Sequence, residues 1–252
     1  MSELRLYGSS LIKAKHILDF LLTAKEAPEL KEISAGTKIG KSTALKILNT
    51  MDVLGLVRKV GEEKKYYLGI DFIAYADKAA SDFDLLQYAR PVLTHLRDIT
   101  DETINLGVVS GNSVVLLDKI ESQHRSISLK SKIGGRMNLY SSSMGKAILA
   151  AWPVEKLGKY IQETELLKIA PNTITSSDAL FTEVQKVKEM GYSTDNEENE
   201  ADVYCLGFSL TKNHQLLGAF SITAPKYRMT KNNQEKYLKL AKQAQHEIEE
   251  AF

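Results

Sequence analysis

The sequence predicts an α+β chain in two parts: an N-terminal winged helix-turn-helix, then a linker helix leading to a larger C-terminal domain on a mainly antiparallel sheet. Three observations predict it. Three helix-periodic segments in the first 54 residues are followed at once by two short β-favouring runs that carry Lys and Arg. From residue 103 onward, strand-like runs separated by tight turns alternate with helical segments. A length of 252 residues, at roughly 100 to 200 per domain, suits one large or two modest domains. Hydrophobic residues make up 43% and charged residues 26%, with 33 Lys and Arg against 32 Asp and Glu, which excludes disorder and a uniformly basic nucleic-acid coat. The single cysteine, Cys205, cannot form an intrachain disulfide or supply a multi-cysteine zinc site, and this fits a reducing compartment. The first residues lack a signal-peptide apolar region, and no run approaches the roughly eighteen apolar residues of a membrane span. The expectation is a cytoplasmic protein with no membrane partner.

In the N-terminal part, Ser9 and Ser10 are placed to cap a helix with Ile12, Ile17, Leu18, Leu21 and Leu22 at helical spacing, ending before Pro28. A short second helix is expected over Leu30–Gly36, with Leu30 and Ile33 inward. Residues Thr37 to Gly40 then turn the chain into a third helix over Lys41–Leu54, with Leu45, Leu48, Met51 and in one reading Ile47 as its buried stripe. That leaves Lys41, Ser42, Thr43, Lys46, Asn49 and Thr50 facing out, a surface of short polar and basic side chains suited to a major groove. Val57–Val60 and Lys65–Leu68, joined by Gly61-Glu62-Glu63-Lys64, read as a hairpin. Residues 31 to 69 carry eight basic and four acidic residues, so positive charge gathers around this helix and hairpin, as either a solvated face or a phosphate-contacting one. The geometry favours the second, with Arg58, Lys59, Lys64 and Lys65 on the nucleic-acid backbone.

Ile70–Asp82 reads as a connecting helix with Ile70, Ile73, Ala76 and in one reading Tyr75 on one side, and Leu85 to about Thr100 as a longer helix that Pro91 kinks or restarts. The domain limits follow: 1–69, a linker over 70–84, and 85–252. Thr103–Val109 and Ser113–Ile120 flank the hairpin signal Ser110-Gly111-Asn112, and Ile127–Lys130 is a third short strand. Helices are expected over Met144–Ala151, Phe181–Met190 and Lys231–Phe252, and a short strand over Tyr192–Asp195. Cys205–Leu210 should pair with Leu217–Thr223 across Lys212 to Gln215.

One motif misleads. Gly36-Thr37-Lys38-Ile39-Gly40-Lys41-Ser42 imitates a phosphate-binding P-loop, but only three residues separate its glycines where four are needed, and it follows a helical pattern instead of a strand. Gly145-Lys146 lacks the upstream glycine and the following Ser or Thr. Nucleotide hydrolysis is rejected on both counts.

The chain resembles the IclR family of bacterial transcription regulators. The resemblance rests on Leu30-Lys31-Glu32-Ile33, on Gly40 to Leu48, on the stretch from Leu139 to Ala150 ending in Gly-Lys-Ala-Ile-Leu-Ala, and on Gly191 to Glu198 followed by Val203-Tyr204-Cys205. It implies a GAF-like effector domain, its ligand held by a loop before the Gly-Lys helix, an acidic-loop Asp, the strand Cys and hydroxyls on the next strand. Here those positions are Ser143, Met144, Asp195, Cys205, Ser221 and Thr223. Two departures stand out: Met144 where the family has a small residue, and Asp202 where a glycine precedes Val203.

Physical reading of the same residues agrees. Ser141-Ser142-Ser143 before a helix brings free backbone N–H groups and the positive end of a helix dipole together, which serves either as a plain cap or as a seat for a carboxylate. Ser221 and Thr223 lie two apart on a strand, so both hydroxyls face one side, toward a ligand or toward neighbouring backbone. Cys205 fits a small buried hydrophobe better than a sensor. Asp195, Glu197, Glu198 and Glu200 lack the His spacing of a zinc or iron site, so no metal or other cofactor is assigned, and no catalytic residue is assigned either. The expected function is a DNA-binding regulator, a repressor by family prevalence, working as a homodimer or homotetramer on a roughly palindromic operator and answering to a small carboxylate. An enzyme built on the C-terminal half, or a redox sensor using Cys205, are the alternatives.

Overall fold

In a computed structural model, residues 7–61, 64–81, 84–122 and 131–252 are described. The chain divides into two compact units, residues 1–82 and 83–252. The first opens with α1 (Ser9–Thr23), α2 (Leu30–Thr37) and α3 (Lys41–Val53), followed by β1 (Val57–Val60), β2 (Lys65–Leu68) and α4 (Asp71–Ser81). Gly8, with φ of +83°, precedes α1, and no side chain caps it; Ser9 and Ser10 sit inside the first turn instead of ahead of it. Glu29 and Glu32 form a reciprocal capping box on α2, a device that usually begins with Ser or Thr. Between α2 and α3 the chain turns in three residues. Lys38 takes the left-handed conformation, the Ser34 hydroxyl donates to the Ile39 carbonyl at 2.7 Å, and Ile39 is buried as the turn's anchor.

Ile17, Leu21, Ile33, Ala44, Leu48, Met51, Val57 and Tyr66 form the core of this unit. Two expectations about it need correction. Leu45 is 36% exposed and Ala44 is buried in its place, because the inward stripe of α3 runs 44, 48, 51. Leu22 is 67% exposed, one position past the stripe that ends at Leu21. Ile70, Ile73 and Tyr75 are likewise exposed within this unit. The P-loop imitation dissolves: Gly36 lies within α2, and a Cβ there would stand 2.1 Å from the Phe20 ring, so this glycine serves the close approach of α1 and α2. Strands β1 and β2 pair antiparallel with Val57 opposite Leu68, and the Tyr66 N–H donates to the Pro28 carbonyl at 2.9 Å, tying the wing to the α1–α2 connection. Glu62 and Glu63 of the hairpin turn lie outside the described residues.

The second unit is built on a six-stranded antiparallel sheet of order β5-β4-β3-β8-β7-β6, from β3 (Thr103–Ser110), β4 (Ser113–Ile120), β5 (Arg136–Asn138), β6 (Ser193–Asn196), β7 (Val203–Lys212) and β8 (Gln215–Pro225). Helices α5 (Asp84–Thr100) and α9 (Lys231–Ala251) contribute to the core on one face, where Leu93, Leu96, Ile104, Leu206, Phe208, Phe220 and Ile222 pack together. Helices α6 (Ser143–Ala151), α7 (Val154–Glu163) and α8 (Ser177–Met190) contribute to the other, with Leu116, Leu139, Met144, Ile148, Tyr160 and Val184. Helix α5 runs through Pro91 as one helix, without restarting. The expected strand at Ile127–Lys130 lies outside the described residues. β5 and α7 were not anticipated; α7 follows Pro153 and buries Leu157, Tyr160 and Ile161 at helical spacing. Among the described residues no helix is long and apolar enough to cross a membrane.

Helix α6 comes down onto bare backbone at Gly207. A Cβ there would meet the Ser143 carbonyl carbon at 2.4 Å and its oxygen at 2.6 Å. The backbone cannot yield as a flexible side chain would, so Gly207→Ala should destabilise the second unit by about 1 to 3 kcal/mol, as overpacking does. The check is urea denaturation of the full chain, in which a midpoint equal to wild type would contradict the close approach.

Candidate ligand cavity and nucleic-acid face

A cavity of about 570 Å³ lies in the second unit, and all six positions implied by the resemblance line it: Ser143, Met144, Asp195, Cys205, Ser221 and Thr223. Helix α6 delivers Ser143 and Met144, and strand register explains how β6, β7 and β8 deliver the other four. Thr103 lies opposite Thr223, Thr223 opposite Cys205, and Cys205 opposite Asp195. One step along, Asn105, Ser221, Gly207 and Ser193 form a second row on the same face. The alternate residues, Ile104, Leu206, Phe220 and Ile222, point into the opposite core. Both hydroxyls have side-chain neighbours: Asn105 Nδ2 donates to Thr223 Oγ1 at 3.0 Å, and Ser221 and Thr223 lie 3.3 Å apart, oxygen to oxygen.

The N-terminus of α6 closes one end of this cavity. Ser142 is the cap, its Oγ accepting from the Gly145 N–H at 3.1 Å while its carbonyl accepts from the Lys146 N–H at 2.9 Å. The N–H groups of Ser143 and Met144 donate to nothing among the described residues, the condition in which a helix start accepts an anion. Two further segments help line it, residues 131–137, which bring Lys132 and Arg136, and the strap Ile169-Ala170-Pro171.

In the first unit, Lys41, Ser42, Thr43 and Lys46 are all exposed on α3, opposite its buried stripe. Arg58, Lys59 and Lys64 are exposed on the wing and Lys65 is half-buried. Arg58 stacks 4.6 Å over the Tyr67 ring and Lys59 lies 5.7 Å over Tyr66, so two adjacent basic residues occupy opposite faces of the ribbon. Leu45, expected inside, adds an apolar spot to the outward face of α3.

A family model described as the IclR helix-turn-helix domain matches residues 10–61, and one described as the bacterial transcriptional regulator IclR C-terminal domain matches residues 77–250. The chain belongs to the IclR family of transcriptional regulators. The HTH-type transcriptional regulator KdgR of Escherichia coli (strain K12) is 31% identical over 241 residues, spanning 95% of this chain and 91% of that protein. The crystal structure of the Thermotoga maritima IclR matches with a TM-score of 0.77 at 31% identity, over 96% of this chain and 98% of that one. An IclR homolog from Microbacterium hydrocarbonoxydans, complexed with 4-hydroxybenzoate, shares the fold, with a TM-score of 0.82 at 21% identity over 95% and 97% of the two chains.

Against the IclR pattern, both departures have a local explanation. Asp202 has φ of +62°, the left-handed region where a glycine costs nothing and Asp is among the better-tolerated side chains; its N–H donates to Glu197 Oε1 at 3.2 Å and its carbonyl accepts from the Lys226 N–H at 2.8 Å. Met144 is buried among Val114, Leu116, Leu139 and Ile148, so it lengthens the apolar wall of the cavity.

Sequence reading missed the cavity-lining residues of both segments, 131–137 and 169–171, and several others besides. Asn105 and Asn199 line the cavity, and Ser193 Oγ donates to the carbonyls of Ser143 and Gly207. Lys146 is 0% exposed, with Glu198 Oε1 and Oε2 each 2.6 Å from its Nζ. A lone lysine in the apolar run Met-Gly-Lys-Ala-Ile-Leu-Ala was the available signal, since a charge on a buried helix face needs a counter-ion.

Asp195 is buried, with Oδ1 accepting from the N–H groups of Glu198 at 2.8 Å and Asn199 at 3.2 Å. Burial, reinforced by the nearby Glu198 charge, raises its pKa from 3.8 to about 7 despite those hydrogen bonds and Lys146. Burial and the Asp195 charge also push the Cys205 thiol well above its ordinary value, which suppresses the thiolate that oxidation and nucleophilic attack require. Between pH 3.8 and about 7 the folded chain keeps the Asp195 proton that the unfolded chain has lost. Stability therefore falls as pH rises through that window, by up to about 1.4 kcal/mol per unit, and levels off above it. Asp195→Asn removes this dependence, so its stability advantage over wild type should grow across the window in denaturation series. A constant difference would show that Asp195 is already ionised in the acidic fold.

Proposed function

We propose that the chain is a DNA-binding repressor whose operator affinity is modulated by a small organic carboxylate. The observation that carries this reading is the cavity itself: the two free amides of Ser143 and Met144 at a helix start face the same space as the hydroxyls of Ser221 and Thr223. The carboxylate sits on the amides, and the hydroxyls take the effector's other end. Repression is the commoner mode in the family, and the solved relative holding 4-hydroxybenzoate supports a carboxylate ligand. A catalytic reading finds less support: among the described residues no histidine lines the cavity to serve as base for Cys205. The raised thiol pKa disfavours the redox-sensor reading.

On the DNA side, Lys41, Ser42, Thr43 and Lys46 enter the major groove while Arg58, Lys59, Lys64 and Lys65 contact the backbone. One short helix reads only a few base pairs, so two copies bind a roughly palindromic site as a homodimer, or as a homotetramer of two such pairs. The DNA-bound and effector-bound forms work in the cytoplasm.

Two sets of variants test the reading. Lys64→Ala should weaken binding to every sequence and reduce the salt slope by about one, whereas Thr43→Ala should relax sequence preference. Unchanged operator affinity in both would remove the winged helix as the reading head. For the cavity, a thermal-shift screen of small carboxylates including 4-hydroxybenzoate supplies the probe. Ser221→Ala or Thr223→Val should then weaken its affinity about two- to tenfold, matching the loss of one hydrogen bond to the uncharged end of the effector, with DNA affinity in the absence of ligand unchanged. Wild-type titrations in both variants would move the site elsewhere.

A further inference from the structure

We infer that Lys146 is a positioning residue of the carboxylate site: its buried pair with Glu198 locks helix α6 to both the wall that carries Asp195 and the strap over residues 169–171 that lines the cavity. This rests on the carboxylate reading of the cavity. Lys146 does not itself line the cavity. Its Nζ reaches both Glu198 carboxylate oxygens at 2.6 Å, with Glu183 Oε1 farther off at 3.7 Å.

What makes the pair consequential is how much else converges on Glu198. Its N–H donates to Asp195 Oδ1 at 2.8 Å, and its carbonyl accepts from Thr173 Oγ1 at 2.6 Å. The same Thr173 oxygen accepts from the N–H groups of Ile169 at 3.2 Å and Ala170 at 2.8 Å, the residues that begin the strap. On either side of Glu198, the Glu197 carbonyl accepts from the Asn172 N–H at 3.0 Å and Asn199 Oδ1 accepts from Ser141 Oγ at 3.2 Å. A single side chain on α6, less than one turn from the free amides of Ser143 and Met144, thus sets where three walls of the cavity stand. An apolar residue would fill the slot without the cost of burying an ammonium and a carboxylate, so the pair contributes placement in place of net stability.

The test is hydrogen exchange on the full chain, read by mass spectrometry, beside titration with 4-hydroxybenzoate or the best carboxylate of the screen. Lys146→Met/Glu198→Gln removes both buried charges together, so no unpaired charge is left to unfold the domain. In it, amides over residues 169–173 and 197–199 should exchange about tenfold or more faster than wild type, while β7 and β8 keep their protection. Carboxylate affinity should fall about ten- to a hundredfold. Glu198→Asp keeps a carboxylate paired with the buried ammonium, one methylene shorter, and should stay much closer to wild type than the double variant on both measures. That rescue by the conservative variant separates positioning from general stability. Thr173→Val supplies a second arm, cutting the path beyond the ion pair without touching a charge, and should loosen residues 169–171.

Wild-type exchange in the double variant overturns the tether, whatever the chain binds. Loosening by Thr173→Val without loosening by the double variant overturns Lys146 as its origin. A wild-type chain that binds no carboxylate, with exchange altered as expected, overturns the carboxylate reading and the assignment that rests on it, while leaving the mechanical link measured.

Discussion

The descent of α6 onto Gly207 is the contact on which the second unit's chemistry depends. An α-helix begins with four unsatisfied N–H groups, and a sheet offers a polar concave face only where side chains are small. Gly207 brings the two within reach, Ser193 ties the Ser143 carbonyl down, the Asn138 carbonyl takes the Ser142 N–H and Ser142 Oγ takes the Gly145 N–H. What is left over, among the described residues, is a pair of unclaimed amides in a cavity that two hydroxyls also line. A larger residue at position 207 would lift the helix, and the cavity would lose one end before it lost any of its named side chains.

Charge in this region follows the same economy of space. Lys146, Glu198 and Asp195 are buried within a few residues of one another in the fold, and each raises the question of what keeps it there. The lysine and Glu198 answer each other. Asp195 is left with two backbone N–H groups on one oxygen, and burial raises its pKa to about 7 despite them. Cys205, next to it across the strands, has its thiolate suppressed by burial first and by that carboxylate second, which makes the sulfur a packing element and a weak donor.

Most of the architecture was legible because its signals are periodic. The three helices of the first unit, the hairpin turns around Gly111 and Asn213, and the serine cap of α6 all leave marks that local physics reads directly. The errors cluster at edges: Leu22 and Leu45 each sit one position from a buried stripe, where a helix of 3.6 residues per turn divides inside from outside poorly. Strand β5 has three residues, too few for alternation to register, and α7 was overlooked despite its proline start. In the cavity, the six positions implied by family resemblance share one space, whereas Asn105 and Lys146 stayed hidden because their partners lie 118 and 52 residues away. Pairings at that range are facts of topology, and no window along the chain contains them.

The two rows of cavity residues have a consequence for how such a protein diverges. Along β3, β7 and β8 every residue facing the ligand space is flanked by one facing the opposite core, so the two sets are inherited on separate sides of the same strands. Drift at 105, 205, 221 or 223 can recast what the space admits while Ile104, Phe220 and Ile222 go on specifying the scaffold. Duplicated genes can therefore acquire new chemical vocabularies without first relearning how to fold, with the narrow passage at Gly207 as the one letter both alphabets share.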